Sequence, residues 1–140
     1  MAKGKLTTYA ANQILIALGT HAVSGYAEDS FVAIEQQGDG IMTKVGCDGE
    51  VARAVSPNRT YRVTLQLLQS SETSSWLQAM HDRDMQSGDG VFPILIKDAR
   101  GTLVFSAESA WVQKGANRQY GRDTNSRQWV IDTGEGTLVE

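Results

Sequence analysis

The stretch that decides the fold runs from Phe92 to Ala107, FPILIKDARGTLVFSA, and it predicts a β-hairpin. Its first half is an apolar run, and its second half is rich in valine and phenylalanine, which favour strands. Between the halves, Asp98 and Gly101 stand at the first and last positions of a turn, as a type I turn prefers. The hairpin therefore predicts a mainly β protein.

Further strands are predicted on the N-terminal side of this hairpin. Four short segments separated by turn residues are the candidates: 14–18, 31–36, 41–45 and 51–55. In the segment 61–67, apolar residues alternate with polar ones, which is typical of a strand with one buried face. Asp48-Gly49, between the third and fourth segments, favours a two-residue hairpin turn.

One helix is predicted at residues 72–84, with Ser70 or Ser71 as its N-cap. Trp76, Leu77 and Met80 form a narrow apolar stripe along it, and we expect this stripe to face the sheet. Because every other signal is a strand or a turn, the fold class is all-β with one inserted helix, as a sandwich or barrel.

The two ends of the chain carry weaker signals. A last strand is predicted at 128–131, and residues 134–140 are expected to form a C-terminal tail. Residues 1–12 are expected to form an N-terminal arm of a single domain that covers residues 1–140.

Composition excludes several classes of function. The 140 residues carry a formal net charge of −3 without a basic stripe, which argues against a nucleic-acid clamp. A single cysteine, Cys47, excludes an intramolecular disulfide. The apolar run 14–18 is too short for a signal sequence or a membrane span, so we expect neither export nor membrane insertion.

The sequence shows no constellation that would support catalysis or metal binding. His21 and His81 have no Cys, His or carboxylate at metal-ligand spacing. Asp132 and Glu135 are expected on opposite faces of a strand, which a glycosidase pair would not be. We therefore expect a protein that is not an enzyme and that has no cofactor.

From Val91 onward the sequence resembles the tail tube proteins of contractile-tailed bacteriophages. The residues that carry the resemblance are 92–98, Gly101, 105–107, Ala110-Trp111, Lys114, Tyr120-Gly121, Thr124, Asn125, Arg127 and Trp129-Val130. Similar pieces upstream are 48–51 and 63–69, so that the resemblance spans most of the chain.

The resemblance implies a tail-tube type β-sandwich or barrel flanked by an α-helix. It also implies that six copies close into a ring and that rings stack into a hollow tube in the phage tail. The expected partners are other copies, the tail sheath protein, and the baseplate and tail terminator proteins. DNA is expected to pass through the lumen during ejection as transient, non-specific cargo, in a virion assembled in the host cytoplasm.

Charged side chains are the candidate contacts of such a tube. Those expected between rings or subunits are Asp48, Glu50, Arg53, Arg59, Arg62, Arg118 and Arg122. Glu35 and Asp39 are lumen candidates, because a carboxylate does not hold a DNA phosphate. The helix residues Gln78, Asp82 and Arg83 are the candidate contact with the sheath, which follows from the resemblance alone.

Two other functions remain open from the sequence. An inner tube protein of a contractile injection particle or bacteriocin would share this fold and assembly. A carbohydrate-binding β-sandwich module belongs to a different class, in which exposed aromatic side chains would stack on sugars. Burial of Trp111 and Trp129 would favour the structural role over sugar binding.

Overall fold

Nine strands and one helix make up the part of the chain that the computed structural model describes, namely residue 6 and residues 14–24, 32–98, 102–123 and 125–140. In chain order the elements are β1 (Ile14–Leu18), β2 (His21–Ala22), β3 (Val32–Gln36), β4 (Ile41–Val45), β5 (Val51–Val55), β6 (Thr60–Leu68), α1 (Glu72–Ser87), β7 (Phe92–Asp98), β8 (Val104–Lys114) and β9 (Ser126–Val139). The prediction of a mainly β fold with one inserted helix is confirmed. Over these ranges, no helix has the length and apolar character needed to cross a membrane.

Seven of the strands form one antiparallel sheet in the order β2-β1-β7-β8-β9-β6-β3. The predicted hairpin of β7 and β8 is present, with Ile94 opposite Ala107 and Ile96 opposite Phe105. Its turn is predicted at 98–101, and residues 99–101 lie outside the described residues. Strand β9 is hydrogen-bonded to β8 on one side and to β6 on the other, so it is an interior strand of the sheet.

The core lies on the sheet face that carries α1. In β6 the predicted alternation is confirmed, because Val63, Leu65 and Leu67 are fully buried while the side chains between them are half-exposed. The helix stripe also faces this core, since Leu77 is fully buried and Trp76 and Met80 pack against the core's margin. We call the opposite side of the sheet, which no helix covers, the uncovered face.

The helix ends one turn later than predicted. Ser71 is its N-cap and accepts a hydrogen bond from the N–H of Thr73 at 3.2 Å. Gly88 ends it with a left-handed φ of 71°, and its N–H donates to the carbonyl of Asp84 at 2.8 Å. The last turn buries no residue, so hydrophobic periodicity gave no sign of it.

The C-terminal segment is strand rather than tail. Strand β9 was predicted to end at Ile131, but it continues to Val139 and includes Gly136. A Cβ at Gly136 would stand 3.1 Å from the rings of both Tyr61 and Phe105, whose centroids lie 5.1 Å apart in an edge-to-face contact. The glycine that suggested a turn is therefore there for a close approach of two aromatic rings.

Strands β4 and β5 form a separate two-stranded sheet. The predicted hairpin is present, but the prediction of a two-residue turn at Asp48-Gly49 is wrong. The N–H of Gly46 donates to the carbonyl of Glu50 at 2.7 Å, and Gly49 donates to Gly46 at 2.9 Å with a left-handed φ of 88°. This is a longer loop closed by a turn and a glycine bulge, and it leaves Cys47 exposed at the tip.

Candidate assembly surfaces

The hairpin of β4 and β5, from Ile41 to Val55, is the most exposed apolar part of the described chain, and we call it the arm. All ten of its strand residues are exposed. Ile41 is 52% exposed, Val45 67% and Val55 69%. Isolated two-stranded hairpins are marginally stable in water, so an uncovered arm of this composition indicates a surface that another molecule covers.

The two faces of the arm differ in chemistry. Cross-strand partners share a face, so the pairs Ile41–Val55, Thr43–Arg53 and Val45–Val51 lie together. This face, which we call the Val/Ile face, has branched apolar residues at both ends and one cation in the middle. The opposite face carries Met42, Lys44, Ala52 and Ala54.

The base of the arm is fixed to the main sheet. The N–H of Ser56 donates to the carbonyl of Gly40 at 2.8 Å, and the N–H of Gln37 donates to the carbonyl of Thr60 at 3.0 Å. Asn58 adds a turn at this point, since its Oδ1 accepts the N–H of Thr60 at 3.0 Å. The arm is therefore a continuation of the β3–β6 ribbon.

The lumen candidates Glu35 and Asp39 lie on the same part of the molecule. Both are exposed, Glu35 on β3 and Asp39 in the loop that leads from β3 to the arm. Glu35 stands opposite Arg62 in the β3–β6 register and therefore shares the uncovered face with it. The exposure that a lumen position requires is present at both residues.

The structure divides the seven predicted contact residues among separate places. Asp48, Glu50 and Arg53 are exposed on the arm, and Arg59 is exposed at its base. Arg62 is instead bound within the subunit. Its Nε lies 3.1 Å from Oδ1 of Asp132, which also accepts a hydrogen bond from Gln37 at 3.0 Å.

The remaining two predicted contact residues lie beyond the end of β8. Arg122 is exposed in the segment between β8 and β9. Arg118 donates to Oε1 of Gln78 at 2.6 Å and therefore belongs with the helix surface. The sequence gave no sign of this contact, because it joins residues forty positions apart.

The predicted sheath-contact residues make polar contacts on α1 and just beyond its end. Gln78 donates to Asp82 at 2.9 Å, one helical turn away, and Arg83 forms an ion pair with Asp89 at 3.0 Å. Exposed pairs of this kind contribute little to stability, so their side chains can rearrange toward a partner at low cost.

The uncovered face also carries an open groove of about 620 Å³, which sequence reasoning did not identify. Apolar and small side chains line it, with Pro93 and Leu95 from β7, Ser106 from β8 and Ala17 from β1. Glu108 and Glu135 stand at one side. Leu95 is 43% exposed and the nearby Leu15 56%, so the groove opens beside an apolar surface.

An irregularity in the sheet accounts for the position of this groove. The pairs Phe92–Ala110 and Ile94–Ala107 show that β8 has one residue more than β7 at this level. Strand β9 likewise has one residue more than β6 between the pairs Thr60–Glu135 and Arg62–Asp132. Bulges bend a strand and increase its twist, so two at one level curve the sheet across its middle.

Both histidines have structural partners. Nε2 of His21 lies 2.9 Å from Oγ1 of Thr73, and its ring stacks on Trp76 at 5.2 Å, so β2 is attached to the start of α1. Nδ1 of His81 lies 3.3 Å from the carbonyl O of Val112. Within the described ranges there is no group of three or more residues that could hold a metal ion.

The tryptophans are placed for packing. Trp129 is fully buried, and its Nε1–H donates to Oγ of Ser74 at 3.3 Å. Trp111 is half-buried on the uncovered face, opposite Asp132 in the register. The full burial of Trp129 favours a structural role over a platform for sugars.

The sequence is similar to known bacteriophage proteins. The family profile described as bacteriophage PhiTE tail tube protein matches residues 8–138. A curated relative, "Structural protein ORF10" of Pseudomonas phage KPP10, is 33% identical over 136 residues, which are 91% of this chain and 79% of that protein.

Solved structures share the fold at low sequence identity. The anti-feeding prophage cap, which terminates the tube of that particle, is 9% identical with a TM-score of 0.60, over 99% of this chain and 95% of that one. A chain of the sheath-tube complex of PVC, an extracellular contractile injection system, is 10% identical with a TM-score of 0.60, over 94% and 91%. A chain of the PVC sheath/tube terminator is 9% identical with a TM-score of 0.57, over 98% and 100%.

Proposed function

Since this chain belongs to the bacteriophage PhiTE tail tube family, we propose that six copies close into a ring and that rings stack into a hollow tube through which DNA leaves the virion. The observation that carries this proposal is the arm. All ten of its strand residues are exposed in the single subunit, and such a surface requires a partner. In a tube, that partner is another copy of the same chain.

The edges of the sheet support assembly with identical copies. Strands β2 and β3 stand at the two ends of the seven-stranded order. An edge strand presents unpaired N–H and C=O groups, and closing a ring of subunits is one way to pair them. Ring closure would therefore pair the free edges of this sheet and cover its arm.

Charge supports a conduit rather than a DNA clamp. The chain has a net charge of −3, and Glu35 and Asp39 are exposed. Each phosphate that a protein neutralises adds affinity through counterion release, and affinity would slow the passage of DNA. We propose that these carboxylates face the lumen, in the part of the tube formed by β3 and β6.

The proposed partners beyond the tube are the sheath, the terminator and the baseplate. Two of the similar structures are tube or sheath/tube terminators, and one is a sheath-tube complex. The polar surface of α1, with Gln78, Asp82 and Arg83, is the proposed sheath contact, because α1 lies on the opposite side of the sheet from Glu35. Only the β3–β6 part of the uncovered face is proposed to line the lumen. The baseplate contact and assembly in the host cytoplasm follow from the tube function.

A tube of an injection particle is the second candidate function. It is favoured by the solved structures, which come from the anti-feeding prophage and from PVC. The phage tail is favoured by the family profile and by the relative of 33% identity, both of which are from bacteriophages. We therefore place the phage tail first.

Electron microscopy of the purified chain tests the proposal. Negative-stain images at increasing protein concentration are expected to show rings, and then hollow rods of uniform width. Sedimentation of the same samples should show species of six subunits or multiples of six. A compact single subunit at every concentration and salt condition would contradict the proposal.

A further inference from the structure

Glu108 and Glu135 form an unusual pair on the uncovered face. Both residues line the groove, Glu108 from β8 and Glu135 from β9, in the interval between the register pairs Ala107–Gly136 and Ala110–Thr133. Both are exposed, and the described residues provide neither an ion pair nor a hydrogen bond to either carboxylate. Two negative charges at one groove repel each other, so a cation from outside the subunit would relieve this repulsion.

The surface next to this pair is apolar. Leu95 and Pro93 are exposed on β7, Ala17 lies opposite Leu95 on β1, and Leu15 is exposed on the same face. Pro93, Leu95 and Ala17 line the groove of about 620 Å³ together with the two glutamates. The groove therefore offers an apolar surface with two negative charges beside it.

The Val/Ile face of the arm has the complementary pattern. Its ends carry Ile41 with Val55 and Val45 with Val51, and Arg53 projects from its middle. Arg53 has no ion-pair partner among the described residues. Arginine can bind carboxylates with several donors at once, which suits two glutamates side by side.

We propose that the arm of one copy occupies the groove of a second copy. Its Val/Ile face packs against the apolar lining of the groove, and Arg53 lies against Glu108 and Glu135. The occupant is a second copy because the arm's own base is fixed by the Ser56–Gly40 and Gln37–Thr60 hydrogen bonds, and the arm leaves its own groove open. This inference rests on the proposed self-assembly and deepens it, since it specifies both sides of one contact.

The proposal distinguishes the two cations of the arm. Lys44 lies on the opposite face, with Met42, Ala52 and Ala54, and therefore points away from the groove. Arg53 and Lys44 are both exposed strand residues of equal charge. Lys44 is thus a matched control for Arg53.

Charge reversal with rescue is the first test. Arg53→Glu is expected to raise the protein concentration needed for rods by about tenfold or more, because charge reversal replaces attraction by repulsion at a desolvated contact. Glu108→Arg in the same chain is expected to restore assembly. Lys44→Glu should assemble nearly as the wild type does. Equal defects in Arg53→Glu and Lys44→Glu, or no rescue by Glu108→Arg, would overturn the proposal.

Cross-linking between copies is the second test. In a Cys47→Ser background, one sample carries Val45→Cys on the arm and the other carries Leu95→Cys in the groove. After mixing and mild oxidation, a disulfide between the two chains is expected. A mixture of Val45→Cys with Gln113→Cys, an exposed position outside the groove lining, should give far less.

The outcomes separate this inference from the proposed function. Wild-type rods together with equal cross-linking at Gln113 and Leu95 would overturn the arm-in-groove contact and leave the tube proposal in place. A wild-type chain that never assembles would contradict the tube proposal itself, and the inference with it.

Discussion

The body of the protein and its arm are both antiparallel β-structure, yet they differ in what holds them together. In the body, the side chains that alternate along β6 are fully buried at Val63, Leu65 and Leu67. In the arm, every strand residue is exposed, although the arm is richer in β-branched residues than β6 is. The comparison shows that one part of the sequence buries its apolar residues within the subunit and the other leaves them exposed.

The largest effect is expected for a core residue of the body. Trp129→Ala should lower the free energy of unfolding by about 3 to 5 kcal/mol, because it empties a fully buried site and leaves Oγ of Ser74 without its donor. Trp111→Ala, at a half-buried position on the uncovered face, is the control and should cost clearly less. Urea unfolding followed by circular dichroism measures both, and equal losses would show that the uncovered face is part of the core.

A smaller effect is expected where a threonine connects two elements. Oγ1 of Thr73 accepts the N–H of Ser24 at 3.1 Å and lies 2.9 Å from Nε2 of His21. Thr73→Val should therefore cost about 1 to 2 kcal/mol, because it removes a buried hydroxyl and leaves its partners unsatisfied. The same substitution at the exposed Thr43 of the arm should change stability by no more than about 0.5 kcal/mol. Similar losses at both positions would mean that the arm folds with the body.

The smallest effect on the subunit is expected for the apolar residues of the arm. Val55→Ser should leave the unfolding free energy of the single subunit within about 0.5 kcal/mol of the wild type, because Val55 is already 69% exposed. Assembly should be weakened nonetheless, and sedimentation at rising concentration measures it. A destabilised subunit with normal assembly would reverse the distinction between body and arm.

Local signals were sufficient for most of the fold. The period-two pattern at 61–67 predicts a strand because one of its faces is buried. The apolar run at Phe92 and the turn residues after it predict a hairpin. The predicted length of β9 is too short, because glycines such as Gly134 and Gly136 are typical of a turn. What places glycine there is the Tyr61–Phe105 contact, which sequence spacing alone does not reveal.

The candidate contacts were less predictable, because each depends on which distant residues meet. Arg62 and Asp132 are seventy positions apart, and Arg118 and Gln78 forty, so their pairing depends on sheet register and helix placement. The strands of the arm are predicted correctly, but the local sequence does not distinguish a valine that will be buried from one that will be exposed. Glu108 and Glu135 line one groove only because β8 and β9 are adjacent in the sheet.

The continuity of the arm with β6 has a mechanical consequence. Strand β6 is joined to β9 along eight register pairs, from Thr60–Glu135 to Leu68–Ser126. A pull on the arm along its length would load these pairs in shear, so that all of them resist at once instead of opening one after another. If the arm holds neighbouring copies together, tension along the arm would act on each subunit in the direction in which the β6–β9 pairing resists most.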